Sequence, residues 1–337
     1  MNVMEGKRIL ITGGTGSLGK VLLRRLLNGT NGAPERIVVF SRDEAKQHEL
    51  RVAYEHKRSP TDEIIYQNFA RTLEFQIGDV RDPNAVAVAI QGIDIVFNAA
   101  ALKQVPTCEY FPFEAVQTNI VGAENIVRAI RSSASKVETV VGISTDKAVK
   151  PVKVMGMTKA IQERVFARAN LDSSGVRYVL ARYGNVLASR GSVIPLFHGQ
   201  IASGGPVTIT HTEMTRFLLS LNQAVDLILT AVQDARPGET YIPRVPSARI
   251  VDLAKVLIGD RNVQTEITAI RPGEKLHEIL ISEEETHRTV ERDGNYVIAP
   301  ILPELREASL DVCDLAEEYS SADAVMGADE LRDLLVA

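Results

Sequence analysis

Over the first half of the chain, short apolar runs alternate with longer stretches whose apolar residues recur every three or four positions. Arg8–Thr12 (RILIT) runs into glycines and is followed by helical spacing at Val21–Leu27. Arg36–Phe40 (RIVVF), Leu73–Ile77, Asp94–Ala99 and Thr139–Ser144 are further strand candidates. Between them Glu44–Tyr54, Pro83–Ile90 and Phe113–Ile130 carry helical spacing. Runs that stay apolar at successive positions suit strands buried on both faces. Strands alternating with helices predict a parallel sheet covered on both sides.

After about residue 185 the texture changes. Gly191, Gly204, Gly205, Pro206, Pro243, Pro246, Pro272 and Gly273 cut the chain into shorter pieces, with helical stretches left at Gln223–Gln233 and Val251–Ile258. The expected division is a nucleotide-binding domain over residues 1–185 and a smaller, mainly substrate-binding lobe over residues 186–337, interleaved with the first. The polar tail from Glu307 reads equally as a docking helix or a mobile end.

Composition narrows the function classes. The chain has 337 residues, 45% hydrophobic and 24% charged, which is enough apolar material for a sizeable core. Its formal charge of −5 argues against nucleic acid as a partner. Its two cysteines, Cys108 and Cys313, lack metal-ligand spacing, so neither a metal site nor a disulfide framework is expected, and a reducing cytoplasm is the natural setting. Met1–Lys7 contains Glu5 and no apolar run of a signal peptide. No stretch reaches the roughly 18 apolar residues of a membrane span.

The first strand leads into Thr12-Gly13-Gly14-Thr15-Gly16-Ser17-Leu18-Gly19. Gly13 suits a tight turn, Gly16 a close approach of backbone to a pyrophosphate, and Gly19 a helix packed hard on the sheet. Thr15, Ser17 and Leu18 complete this loop, and the helix start offers free N–H groups to phosphate. The placement, after an apolar strand and before an amphipathic helix, makes the fold class α/β, a Rossmann-type doubly wound sheet. Ser41 and Arg42 end the second strand, and a hydroxyl beside a guanidinium suits the 2′-phosphate of NADP. Asp43, turned inward, would suit NAD instead. Asp79, followed by Val80, is a candidate acceptor for an adenine amino group, and Ala99 and Ala100 leave room for the cofactor beside the backbone.

These features, with Ser144-Thr145-Asp146-Lys147 and Lys159, resemble the extended short-chain dehydrogenases from Arg8 to about Pro300. Within that superfamily the chain is most similar to UDP-N-acetylglucosamine 4,6-dehydratases. The likeness rests on Ala100–Pro106 (AALKQVP), Ser144–Ala148 (STDKA), Arg182–Pro195, Met214–Phe217 (MTRF) and Arg271–Glu278 (RPGEKLHE). One departure stands out. Where the superfamily has Tyr-x-x-x-Lys, this chain has Met155-Gly156-Met157-Thr158-Lys159, and a thioether carries no proton.

The resemblance implies a reaction. The sugar is oxidised at C4, loses water across C5 and C6, and regains a hydride at C6, so NADP ends as it began. Asp146 is implied as the acid at O6 and Lys147 as the base at C5, with Thr145 beside them. The expectation is then a partly protonated Asp146 and a partly neutral Lys147. Asp146 is also a candidate for the C4-hydroxyl proton that the missing tyrosine would take. Lys159 is implied at the nicotinamide ribose. Lys103, Met155, Asn185, Arg216, Arg271 and Glu274 are the substrate candidates, the two arginines for the diphosphate of a UDP-sugar. Met214–Phe217 and the run after Ala100 look more like the C5-inverting members, and the likeness suggests a homo-oligomer. A nucleotide-sugar 4-epimerase or reductase, or a non-catalytic NADP-binding scaffold, stay open as alternatives.

Overall fold

The computed structural model describes residues 2–55, 71–132, 136–172, 175–187, 192–270, 273–306, 315 and 317–336. Arg271, Pro272, Cys313 and the middle of the Arg182–Pro195 run fall outside them.

The chain opens with β1 (Arg8–Thr12), α1 (Ser17–Leu27), β2 (Arg36–Ser41), α2 (Glu44–Glu55), β3 (Leu73–Ile77), α3 (Pro83–Ala89) and β4 (Ile95–Asn98). Next come α4 (Val105–Tyr110), a short helix at Pro112–Ala115, a π turn at Val116–Val121, and α5 (Gly122–Ser132). Then follow β5 (Thr139–Thr145), a 3₁₀ turn at Asp146–Ala148, α6 (Val154–Asp172) and β6 (Arg177–Tyr183).

The later part holds β7 (Asn185–Val186), α7 (Val193–Ala202), β8 (Val207–Ile209), β9 (Thr215–Leu219), α8 (Leu221–Asp234), β10 (Thr240–Pro243), β11 (Ser247–Arg249) and α9 (Ile250–Ile258). It ends with β12 (Thr265–Ile267), β13 (Ile279–Ile281), β14 (Thr289–Arg292), β15 (Asn295–Ile298), β16 (Tyr319–Ser320) and α10 (Ala328–Val336).

Nine strands form the main sheet in the order β14-β15-β10-β6-β5-β4-β1-β2-β3. From β3 to β10 every pair is parallel, and β15 and β14 close the edge in antiparallel pairs. Three strands from beyond residue 186 thus rejoin the sheet, so the two halves of the chain are interleaved.

The strands read apolar throughout because alternate residues enter opposite cores. Ile9, Ile11, Ile37 and Val39 pack on one face, and Leu10, Val38 and Phe40 on the other. A third core, with Phe197, Val207, Met214, Leu253 and Leu331, holds the smaller lobe together and includes the docked helix α10.

The strand order reverses between β1 and β4. In doubly wound sheets ligands bind outside the carboxyl ends of the strands at that reversal. Here Gly13, Ser41, Ala99, Asp146 and Gly184 directly follow or end β1, β2, β4, β5 and β6.

Candidate active site

A cleft of about 1120 Å³ opens along this edge and continues between the sheet and the smaller lobe. Its lining runs from Gly13–Gly19, Ser41 and Arg42 at one end, past Ala99–Lys103, Thr145 and Lys147, to Asn185, Phe197, Arg216 and Glu274 at the other. Every predicted site residue among those described lines it, except Asp146.

At the first end the glycine turn is built as its spacing predicts. Gly13 has φ +68°, and a Cβ there would stand 2.8 Å from the Ala100 backbone. The same crowding, 2.5 Å to Gly14, reserves position 19 for glycine. Thr12 ties the loop to β4, its hydroxyl 2.8 Å from Asn98 Oδ1 and accepting from the Ala100 N–H at 3.2 Å. Helix α1 begins with no side-chain cap and no acidic residue in its first turn, which leaves its N–H groups for an anion. Thr15 Oγ1 donates to Ser41 Oγ at 3.3 Å.

Arg42 is 61% exposed in its side chain and 3.7 Å from Asp79 Oδ2, so its guanidinium is largely uncommitted. Asp43 is committed elsewhere: it accepts from the Lys46 N–H at 3.0 Å and pairs with the Lys46 ammonium. That bond, with the neighbouring N–H, holds the Asp43 carboxyl below its usual range. Asp79 is shared with Arg81, whose Nη2 donates at 2.7 Å. Burial pushes the Asp79 carboxyl up, but the Arg81 bonds outweigh it and leave the group low.

The centre of the cleft is the turn after β5. Asp146 is fully buried and contributes no surface to the cleft. Its Oδ1 accepts from Thr145 Oγ1 at 2.8 Å and from Lys147 Nζ at 2.9 Å, while its Oδ2 has no hydrogen-bond partner. Lys147 Nζ also donates to Asn185 Oδ1 at 2.9 Å and lies 3.5 Å from Glu278 Oε1. Position 156 must be glycine for α6 to seat on this turn, because a Cβ would come within 2.1 Å of the Lys147 carbonyl oxygen.

One expectation is corrected. Burial pulls the Lys147 ammonium towards neutrality, but the Asp146 and Glu278 carboxylates outweigh it and hold its pKa above the usual lysine value. In the unliganded protein Lys147 is a firmly protonated lysine, not a partly neutral one. Lys159 moves the other way. Burial lowers it to about 8 against the pull of Glu163, and its Nζ donates to Gln162 Oε1 at 2.8 Å and to the Ile143 carbonyl. Met155 sits one turn before it and packs with Cys108 and Ala115.

On the substrate side, Arg216 is buried, with Nη1 donating to the Thr215 and Leu276 carbonyls and Nη2 to that of Lys275. It lies 3.8 Å from Glu274 Oε1 and 3.9 Å from Glu278 Oε1. Partial burial lowers the Lys103 ammonium below its usual value. Asn185 faces Lys147 through its oxygen, a partner its predicted phosphate role did not include.

With this geometry, the profile of the polysaccharide biosynthesis protein family matches residues 9–300. The chain belongs to that family. It is 45% identical over 301 residues to the UDP-glucose 4-epimerase of Rickettsia bellii, covering 88% of this chain and 83% of that protein. The X-ray structure of Pen from Bacillus thuringiensis is similar with a TM-score of 0.86 at 35% identity, over 99% of this chain and 98% of Pen. DesIV, the dTDP-glucose 4,6-dehydratase of Streptomyces venezuelae solved with NAD and TYD, shares the fold with a TM-score of 0.66 at 21% identity, over 80% and 86%.

In this polysaccharide biosynthesis protein three site residues escape the sequence reading. Lys46 lines the cofactor end from the first turn of α2. Asn119, fully buried in the π turn, accepts from the Leu102 N–H at 2.8 Å and donates to Thr158 Oγ1 at 2.9 Å, joining the loop after β4 to α6. Glu278 closes the RPGEKLHE run and touches Lys147. Periodicity reveals neither a π turn nor a carboxylate brought in from the distant segment just before β13. Among the described residues no cluster of metal-ligating side chains occurs, and no helix is long and apolar enough to cross a membrane.

Proposed function

We propose that this chain is an NADP-dependent UDP-N-acetylglucosamine 4,6-dehydratase of the C5-inverting kind, acting in the cytoplasm as a homo-oligomer. The observation that carries the reading is the Asp146–Lys147 pair. It stands at the carboxyl end of β5, with Asp146 buried and Lys147 half-buried on the wall of a cleft large enough for a dinucleotide and a nucleotide sugar.

NADP, when bound, supplies the acceptor and later the donor of hydride. The chain itself manages protons. Two leave the sugar, from the C4 hydroxyl and from C5, and two are returned, to the departing 6-hydroxyl and to C5. The resting ion pair differs from the working pair by one proton moved across the 2.9 Å bond from Lys147 Nζ to Asp146 Oδ1. That shift gives a neutral amine as base at C5 and a carboxylic acid for O6, while the C4-hydroxyl proton passes to solvent in the cleft and one is taken back from it when the resting pair re-forms. Asp146 has no cleft surface, but Thr145 lines the cleft and hydrogen-bonds Asp146, so its hydroxyl relays the proton. Arg216 and Lys103 bring positive charge for a diphosphate.

The Rickettsia relative's name favours a second reading, a UDP-glucose 4-epimerase. Epimerisation needs a base for the C4 hydroxyl and no chemistry at C5. Met155 removes the usual C4-hydroxyl base from both readings alike, so what separates them is the Asp146–Lys147 pair, which epimerisation would leave without a task. Incubation with UDP-N-acetylglucosamine and with UDP-glucose, read by mass spectrometry, separates the readings. Loss of one water from the acetamido sugar supports dehydration. An isomer of unchanged mass supports epimerisation.

A further inference from the structure

Glu278 is a buried carboxylate in the cleft lining that the proposed chemistry does not use. Its Oε1 stands 3.5 Å from Lys147 Nζ and 3.9 Å from Arg216 Nε, and its Oε2 has no hydrogen-bond partner. Buried carboxylates are ordinarily saturated, so an unsatisfied one beside a candidate base calls for a role.

Its position is fixed from far away in sequence. The Glu278 N–H donates to Ser321 Oγ at 2.9 Å, and the Ser321 N–H donates to the Glu278 carbonyl at 2.8 Å. Ser321 Oγ is also 2.7 Å from Thr215 Oγ1, next to Arg216. One buried serine after β16 therefore anchors both the carboxylate and the segment bearing the arginine.

We propose that Glu278 is a positioning residue: together with Asp146 and Asn185 it grips the Lys147 ammonium and joins it to Arg216 in one cluster on the cleft wall. The inference rests on the reading of Lys147 as the proton-handling lysine. Two carboxylates, Asp146 and Glu278, favour the charged form of the lysine, against the opposing cations Arg216 and Lys275 that face the same cluster. Glu278 therefore sets the pH at which Lys147 becomes a base and holds the amine where the sugar meets it.

The test begins on the ligand-free full chain, without substrate. Competitive acetylation with acetic anhydride across the alkaline range, read at Lys147 by mass spectrometry, gives the pH of half-reactivity. In Glu278→Gln one negative neighbour is gone, so that pH falls, by about one unit or more for an opposite charge at this distance. An unchanged profile overturns the proposal. If Glu278→Gln does not fold by circular dichroism, Glu278→Asp replaces it. The shorter arm withdraws the charge, so a smaller fall is expected, and no fall overturns the proposal. The rate of water loss from the UDP-sugar then serves as the second readout. In a working dehydratase the acid limb of the rate profile moves down with the labelling profile, while KM changes little. Shifted labelling in a protein that releases no water upholds Glu278 and sinks the dehydratase reading instead.

Discussion

Two buried clusters of charge stand side by side at the β5–β6 seam, and they are built in opposite ways. Ser144 of β5 pairs in register with Arg182 of β6, and Ser144 Oγ donates to Glu163 Oε1 at 2.5 Å. Around Arg182 every donor is used. Nε and Nη2 reach Glu163, Nη1 and Nη2 reach Glu285, and Nη1 also reaches the Leu280 carbonyl. Two residues along β5, the Asp146–Lys147–Glu278 cluster leaves one oxygen of each carboxylate without a partner. Thr118 Oγ1 and Ser192 Oγ, also unpartnered, line the same cleft. The closed cluster joins α6 to the β13–β14 connection and holds the fold. The open one keeps capacity for a ligand. Incomplete satisfaction, more than charge or burial, separates the two.

The largest expected effect strikes the open cluster. Lys147→Ala should lower the rate of water loss by ~10²–10⁴-fold, the usual weight of a general base, and abolish solvent deuterium uptake at C5. Its unfolding curve should shift less than that of Arg182→Met, because the lysine is partly exposed, Asp146 keeps the Thr145 hydroxyl and Glu278 keeps Arg216 nearby. A variant that loses stability and keeps activity would reverse the roles assigned to the two clusters.

In the closed cluster the expectation is inverted. Arg182→Met should cost about 3–5 kcal/mol in urea unfolding, since two buried carboxylates lose their shared partner. The cluster should also show in acid. Burial alone would raise the Glu285 carboxyl, but Arg182 and its other donors hold it at about 2. A folded value below the unfolded one contributes stability above the usual glutamate range, and that stability is lost as pH falls towards 2. Wild type should lose stability through that window, and Arg182→Met should lose much less. Equal acid slopes would remove Glu285 from this account.

A smaller effect concerns the far end of the cleft. Arg42→Ala should weaken NADP about tenfold, the lower range for a charge-assisted hydrogen bond at an exposed site, and leave NAD nearly unchanged. Isothermal titration with both cofactors checks this. Equal losses would mean that the guanidinium does not read the 2′-phosphate.

How much of this was legible in the sequence follows from the same contrast. The strands β1, β2, β4 and β5 show as apolar runs to within a residue or so, because both faces of each are buried, while the edge strand β3 alternates apolar and polar residues and is only partly buried. The glycine turn shows because Gly13 and Gly19 occupy places where a Cβ would strike backbone. Helix α6, the longest described, gives almost no periodic signal, because its buried face carries Thr158, Lys159, Gln162 and Glu163 beside its apolar residues. What it buries is Glu163 of the closed cluster and Lys159 beside the cleft, and a hydrophobic pattern is blind to that. The Phe113–Ile130 helix is one stretch in the sequence but is interrupted at Val116–Val121, where the π turn brings Asn119 to α6. The Asp146–Lys147 pair was legible as a motif. The raised pKa of Lys147 was not, because besides Asp146 it draws on Glu278, which lies 131 positions beyond Lys147 and is placed by Ser321.

The central claim is that a hydride leaves C4 and arrives at C6 of the same sugar while Asp146 and Lys147 remove water between them. UDP-N-acetylglucosamine carrying deuterium at C4, turned over by the wild-type protein and read by proton NMR, tests it directly. The account predicts a 4-keto product with the label in the C6 methyl group. Deuterium found again at C4, in a sugar that has kept its 6-hydroxyl, would contradict it.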